Sequence, residues 1–344
     1  MRSRKQILNI GRIGSGVDVK YLLMFSIIIT QLQSITALGQ VVQQRMLRVS
    51  MDNDFFAYQK EDGAYTNGLR FDFISEGKEN SKSLERKFYF HTGNNSLVVK
   101  ELSLTQIMFT SNDITKKDPM PGDYPYSGSL LITRSFNSIS PHTNLSVKTE
   151  YVGGIMGPYS FACETQRSFH KLINDGRPQG WEHQFPNTLF FNVNISIHRY
   201  VLRPAKTAEL VFLGEVNTGS LTNRVSIASL LRLGRMLPYF NSHVQQFITP
   251  RSTSWQLYVF VKPQASFVGS NLLLEGTAQK SGSALAQAVP PPQVSIRHAV
   301  FTGDLGLVIS YRVFAFSFTF IETTGLILNQ PNKALGNVSL YIAL

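Results

Sequence analysis

Phe314, Phe316, Phe318 and Phe320 occupy alternate positions, and Ala315, Ser317 and Thr319 fill the gaps between them. A period of two places the large rings on one face of an extended strand and the small or polar groups on the other. The same alternation returns where Phe191, Val193, Ile195 and Ile197 oppose Asn192, Asn194, Ser196 and His198. It recurs at Trp255, Leu257, Val259 and Val261, and again at Val338, Leu340 and Ile342. A β-sandwich also alternates. Two features favour a barrel. The segments run to about ten residues or more, as a tilted membrane strand requires. Their second face carries Asn, Ser, Gln, Lys and Arg, as a barrel lumen does.

Composition agrees. Only 16% of the residues are charged and 43% are hydrophobic, where a soluble domain carries about 25% charged residues. The mean hydropathy of -0.05 excludes a bundle of membrane helices. An apolar outer face alternating with a polar lumen reconciles the two facts.

The pattern predicts an all-β, antiparallel transmembrane barrel of about twelve strands. They fall near 45–53, 64–75, 98–110, 125–137, 142–155, 187–201, 206–217, 223–234, 253–268, 297–312, 313–323 and 335–343. An even number suits a closed bacterial barrel. One helix is expected over Ser160–Asn174, stopped by Gly176 and Pro178. The stretch from Gly276 to Pro292 reads as a low-complexity loop.

With both termini on the periplasmic side, the outer connections lie near 54–63, 111–124, 156–186, 218–222, 269–296 and 324–334. Inner turns are tight at Arg203–Lys206 and at Arg312–Val313, whereas 76–97 and 235–252 are long for inner turns.

The first 39 residues read as an export signal. Arg2, Arg4, Lys5, Arg12 and Lys20 precede the apolar run Tyr21–Thr30, and Ala37-Leu38-Gly39 offers a cleavage site. The barrel then occupies 40–344, where 28 basic and 21 acidic residues remain of a chain whose formal charge is +11. An exported basic surface suits anionic lipid headgroups or lipopolysaccharide phosphates rather than nucleic acid. A barrel closes its own edges, so a monomer is expected. Cys163 is the one cysteine, and it reads as a small buried side chain.

Polar clusters converge on the outer ends of the first six strands: Asn53-Asp54, Tyr65-Thr66-Asn67-Gly68, Lys116-Lys117, the turn region Pro121–Ser127, and Gln166 with His170 on the helix. Asn53-Asp54 suits a hard cation such as Ca²⁺ and equally a plain turn. His170 lies one helical turn beyond Gln166 on the same face and is a candidate general base. Asp175 is a candidate partner for its ring. Thr66 is either a substrate-facing hydroxyl or an ordinary strand threonine. No Gly-x-Ser-x-Gly elbow, His-Glu-x-x-His site or phosphate-binding Gly-Lys loop occurs.

Asp52-Asn53-Asp54-Phe55-Phe56 and Asp62-Gly63-Ala64-Tyr65-Thr66-Asn67-Gly68-Leu69 resemble the opening of the outer-membrane lipid A 3′-O-deacylase family. Gly122–Gly128, Gly157-Pro158, Glu164-Thr165-Gln166, His170, Pro178–Trp181 and Gln184 resemble its later motifs, in order. The resemblance implies a rim site beside a loop helix and Ca²⁺-dependent hydrolysis of the 3′-linked acyloxyacyl ester of lipid A. It implies Asn53 and Asp54 near the metal, Thr66 as a site hydroxyl and His170 as base to a water. Lys117 and Gln166 are the substrate-binding candidates. Tyr124 stands where the family often has Arg, and no acid follows His170 at the usual spacing. An outer-membrane phospholipase and a non-catalytic porin-like barrel are the alternative readings.

Overall fold

Each of the twelve expected alternating segments becomes a strand, and the strands join in sequence order into a closed antiparallel barrel in which β1 meets β12. The computed structural model describes residues 45–57, 63–78, 83–93, 96–118, 120–140, 142–173, 176, 178–241, 255–277 and 294–344. The expected export signal and Asp175 lie outside them.

The strands are β1 (Arg45–Asn53), β2 (Ala64–Lys78), β3 (Leu97–Thr110), β4 (Ser127–Ser140), β5 (Leu145–Met156) and β6 (Thr188–Ala205). They continue as β7 (Ala208–Gly219), β8 (Thr222–Arg235), β9 (Gln256–Asn271), β10 (Ala299–Tyr311), β11 (Phe314–Thr323) and β12 (Lys333–Ala343). Closure runs through pairs such as Val49↔Leu340 and Met51↔Val338. It leaves no open edge to seek another chain.

The period-two faces sort as the sequence requires. Phe71, Leu102, Leu104, Ile132 and Phe316 are exposed on the outer wall, while Asp72, Glu101, Ser103, Ser135 and Ser317 are buried inside. The lumen is polar and internally paired. Arg48 and Arg70 each bridge Asp72 and Glu101 over 2.5–3.0 Å, and Lys148 reaches Glu101 at 3.1 Å and Glu150 at 2.7 Å. Such charges survive burial because each has an opposite partner. No helix of the described residues is long and apolar enough to cross a membrane.

The described parts of both long inner connections fold back onto the barrel. Residues 83–93, within the β2–β3 connection, lie against outward-facing side chains of β3, β4 and β5, where Tyr89 stacks on Phe136 at 5.1 Å. After β8, Leu237 N–H donates to Gln256 at 2.8 Å, and the Tyr239 hydroxyl stands 2.9 Å from His198 Nδ1. Tyr239 also belongs to an inward apolar cluster with Met46, Ile74 and Val211. Their described residues pack on the wall in one case and in the lumen in the other.

Two short boundaries differ from expectation. The loop helix α1 spans Ala162–Ile173, because Phe161 adopts a left-handed conformation (φ 57°) that separates it from a preceding 3-10 turn, Pro158–Ser160. The strand β6 runs on through Arg203-Pro204-Ala205, leaving Lys206-Thr207 as the turn. A second short helix, α2 (Leu272–Glu275), buries three leucines beside Ile296 and Ile327.

Candidate functional site

The site begins with an irregularity in β2. Tyr65 pairs with Phe109 and Asn67 with Met108, so Thr66 is an extra residue in the ladder. A bulge of this kind shifts which face the flanking residues present. Counted back from Arg70 and Asp72, which face the lumen, Thr66 falls on the inward register. The bulge turns it outward instead. Its hydroxyl meets that of Thr110 at 2.5 Å, and Thr110 shares the outward register of Leu102 and Leu104 on β3. Tyr65 stays inward, donating to Asp52 at 2.9 Å.

Asn53 shares that outward register, paired with Asn67 on one side and Gly336 on the other. Asn53, Thr66, Asn67 and Thr110 are all buried, although the same face is exposed at Phe71 and Leu102. The polar set therefore sits under cover at the outer rim.

The helix α1 provides cover on this side. It packs against β3 and β4, and its Ala162 and Cys163 cluster with Met108, Tyr126 and Trp181. The approach depends on Gly128 of β4, where an added Cβ would lie 2.3 Å from the Ala162 Cβ and 2.5 Å from the Ser160 hydroxyl. Only glycine lets the helix start so close to the wall. The buried positions of α1 are Ala162, Cys163, Gln166 and His170, the i, i+4 spacing of one helical face. Gln166 and His170 thus continue the face that packs on the barrel.

The β5–β6 connection steadies that face from the side. Trp181 Nε1–H donates to Gln166 Oε1 at 2.6 Å. The Trp181 ring meets the Tyr126 ring edge-on at 5.4 Å, and Phe185 N–H donates to the Tyr126 carbonyl at 3.1 Å. Burial pushes the Tyr126 phenol up to about 12. Asp123 anchors the β3–β4 connection, accepting from Asn112 Nδ2 at 2.6 Å, from Tyr124 N–H at 2.7 Å and from Ser111.

Asp54 opens the 3-10 turn after β1 and accepts from Gly63 N–H at 3.3 Å. It lines a small rim cleft with Gly63, Tyr65, Tyr124 and Lys333. Neither Thr66 nor His170 lines that cleft. Lys117 is exposed on the β3–β4 connection, 3.6 Å from Glu182, and is not drawn into the buried set.

Asn53 and Asp54 together offer an amide oxygen and a carboxylate. All-oxygen donors fit a hard cation in kind, but Ca²⁺ takes about six to eight of them. Among the described residues no three His, Cys, Asp or Glu side chains group as a metal centre. Backbone carbonyls and water would complete such a shell.

Two residues of this arrangement have roles that the sequence does not reveal. Thr110 is one of several strand threonines, and only the bulge reveals it as the partner of Thr66. Trp181 belongs to a recognisable motif, yet its bond to Gln166 spans a loop. The burial expected of Cys163 is observed.

The sequence profile of a family described as outer membrane protein LpxR matches residues 22–344. In three dimensions the chain is similar to LpxR from Salmonella typhimurium, at 16% identity and a TM-score of 0.66, over 86% of this chain and 99% of that one. It is also similar to the translocator domain of autotransporter NalP from Neisseria meningitidis, at 9% identity and a TM-score of 0.41, over 94% and 97% of the two chains. No curated protein sequence matches it. At these identities the structural likeness is one of fold.

Proposed function

This chain belongs to the outer membrane protein LpxR family, and on that premise we propose that it is a lipid esterase that removes the 3′-linked acyloxyacyl group of lipid A. The observation that carries the reading is the buried polar set on the outer face of the barrel, Asn53, Thr66 and Thr110, beside a helix whose packed face bears Gln166 and His170. A lumen site would serve a permeant solute. A site on the outer wall at the outer rim meets a lipid of the outer leaflet from the side.

The chemistry is hydrolysis by water. His170 takes a proton from water as the oxygen attacks the ester carbonyl, and returns it to the departing alkoxide. The products are the free acyloxyacyl fatty acid, its secondary ester intact, and the sugar 3′-hydroxyl. Gln166, its Oε1 held by Trp181, presents its amide N–H groups to the substrate. The Thr66 hydroxyl, fixed by Thr110, orients the reacting group. Asn53 and Asp54 would hold Ca²⁺, which when bound supplies Lewis-acid polarisation of a carbonyl. Lys117, exposed above the rim, reaches toward the anionic headgroup.

Mass spectrometry of lipid A from cells expressing the protein tests this, with His170→Ala alongside. Loss of the acyloxyacyl mass with the wild type alone is the expected result. Unchanged lipid A, from cells that carry the folded barrel and are supplied with Ca²⁺, overturns the reading. Fatty acid release from phospholipid instead would assign the same site to a phospholipase.

A further inference from the structure

Residues 83–93 lie on the lipid-facing side of the barrel at its periplasmic end, opposite the rim site. Six contacts hold them there. Phe90 N–H donates to Thr149 Oγ1 at 3.2 Å, Thr92 N–H to Ser138 Oγ at 3.1 Å, and the Tyr151 hydroxyl to the Phe88 carbonyl at 2.5 Å. Tyr89 stacks on Phe136, and Glu85 pairs with Lys100 and, at 3.4 Å, with Arg134. All six wall residues share the outward register of Leu102 and Ile132, set by pairs such as Leu102↔Arg134 and Arg134↔Tyr151.

The segment covers a stretch of wall that lipid could not. Lys100 and Arg134 would otherwise face hydrocarbon, where an unpaired basic side chain is costly. Glu85 pairs with both and offsets part of their charge. Ser138, Thr149 and Phe136 become buried.

The segment's own far side is apolar. Leu84, Phe88 and Phe90 are 73%, 59% and 57% exposed, and Lys87 is exposed between them. They stand directly below Leu102, Leu104 and Ile132, which are exposed to the bilayer. Three large apolar side chains in one short stretch would be a liability in water. Continuous with a lipid-facing band, they extend it.

We propose that residues 83–93 form a membrane-interface segment that seats phospholipids of the periplasmic leaflet: Leu84, Phe88 and Phe90 lie among the acyl chains, and Lys87 meets the headgroup phosphate. Aromatic residues with an adjacent cation suit the boundary between chains and headgroups. This surface is independent of the rim chemistry. It gives the barrel a phospholipid contact at the end remote from the site proposed for lipid A.

Site-directed spin labelling of the full chain tests it, in vesicles of phosphatidylethanolamine and phosphatidylglycerol. The label goes on Phe88→Cys with Cys163→Ala to remove the native thiol. Leu102→Cys serves as the bilayer reference and Lys206→Cys as the aqueous one. At Phe88, oxygen collisions exceeding those with a water-soluble nickel chelate, as at Leu102, is the expected result. The same pattern at Leu84→Cys and Phe90→Cys keeps the test open if one variant fails to fold. Accessibility to the nickel chelate like that of Lys206 overturns the proposal. Adding Lys87→Glu should shift the Phe88 label toward the chelate in these anionic vesicles but less in phosphatidylcholine. An equal response in both overturns the contact of Lys87 with anionic headgroups.

Discussion

The hydroxyls of Thr66 and Thr110 stand 2.5 Å apart on the outer face of the barrel, and both residues are buried. Thr110→Val keeps the shape of the side chain and removes the hydroxyl, leaving Thr66 without this partner. The loss of this buried hydrogen bond, which in the proposed site fixes the orienting hydroxyl, is worth about 1–1.5 kcal/mol, or roughly a ten-fold fall in kcat for acyl release. Thr110→Ser should restore the rate. A fall in kcat with KM unchanged, rescued by serine, is the expected outcome. Full activity in Thr110→Val removes the pair from the chemistry.

That pair also marks where sequence reading stops. The strands were legible because period-two sorting is local: Phe314 to Phe320 need no neighbour to declare their face. The orientation of Thr66 was not. Alternation read back from Asp72 sends it into the lumen, and only pairing across to β3 reveals the extra residue. The long 76–97 connection stood out as too long for an inner turn. Its resting place could not be read, because Glu85 finds Lys100 and Arg134 through contacts on two other strands. His170 and Gln166 were legible as one helical face. The gap that admits their helix depends on Gly128, far away in sequence.

Glu101 is the hub of the lumen network, with carboxylate contacts to Arg48, Arg70 and Lys148. Glu101→Ala leaves three partly buried cations short of a partner. Removing one member of a buried ion pair costs about 3–5 kcal/mol. The urea midpoint, followed by the heat-modifiable gel shift of the folded barrel, should fall sharply. An unchanged midpoint would mean that water already neutralises the lumen charges.

In the proposed site Trp181 acts on the substrate only through Gln166, to which its indole N–H donates. Trp181→Phe deletes the indole donor while keeping an aromatic ring beside Tyr126. Activity should fall in Trp181→Phe and in Gln166→Ala, and the double variant should lose little beyond Gln166→Ala alone. Such coupling is the signature of residues acting as a unit. Additive losses would give Trp181 a separate, structural role.

Tyr126 makes the clasp around α1 sensitive to strong alkali. Burial raises its phenol to about 12 in the folded protein, while an unfolded tyrosine ionises near about 10. Above the lower value the unfolded chain has shed its proton and the folded one retains it. The unfolded state then binds fewer protons, so stability falls as pH rises through this window. Below about 10 neither state is ionised and the group contributes no slope. The near-ultraviolet circular dichroism of Trp181, whose ring lies 5.4 Å from Tyr126, reports on the clasp. In wild type that signal should weaken as pH rises from about 10 to about 12, and in Tyr126→Phe the loss should move to higher pH. Identical curves for the two proteins would place the alkaline transition on another tyrosine or on the lumen lysines.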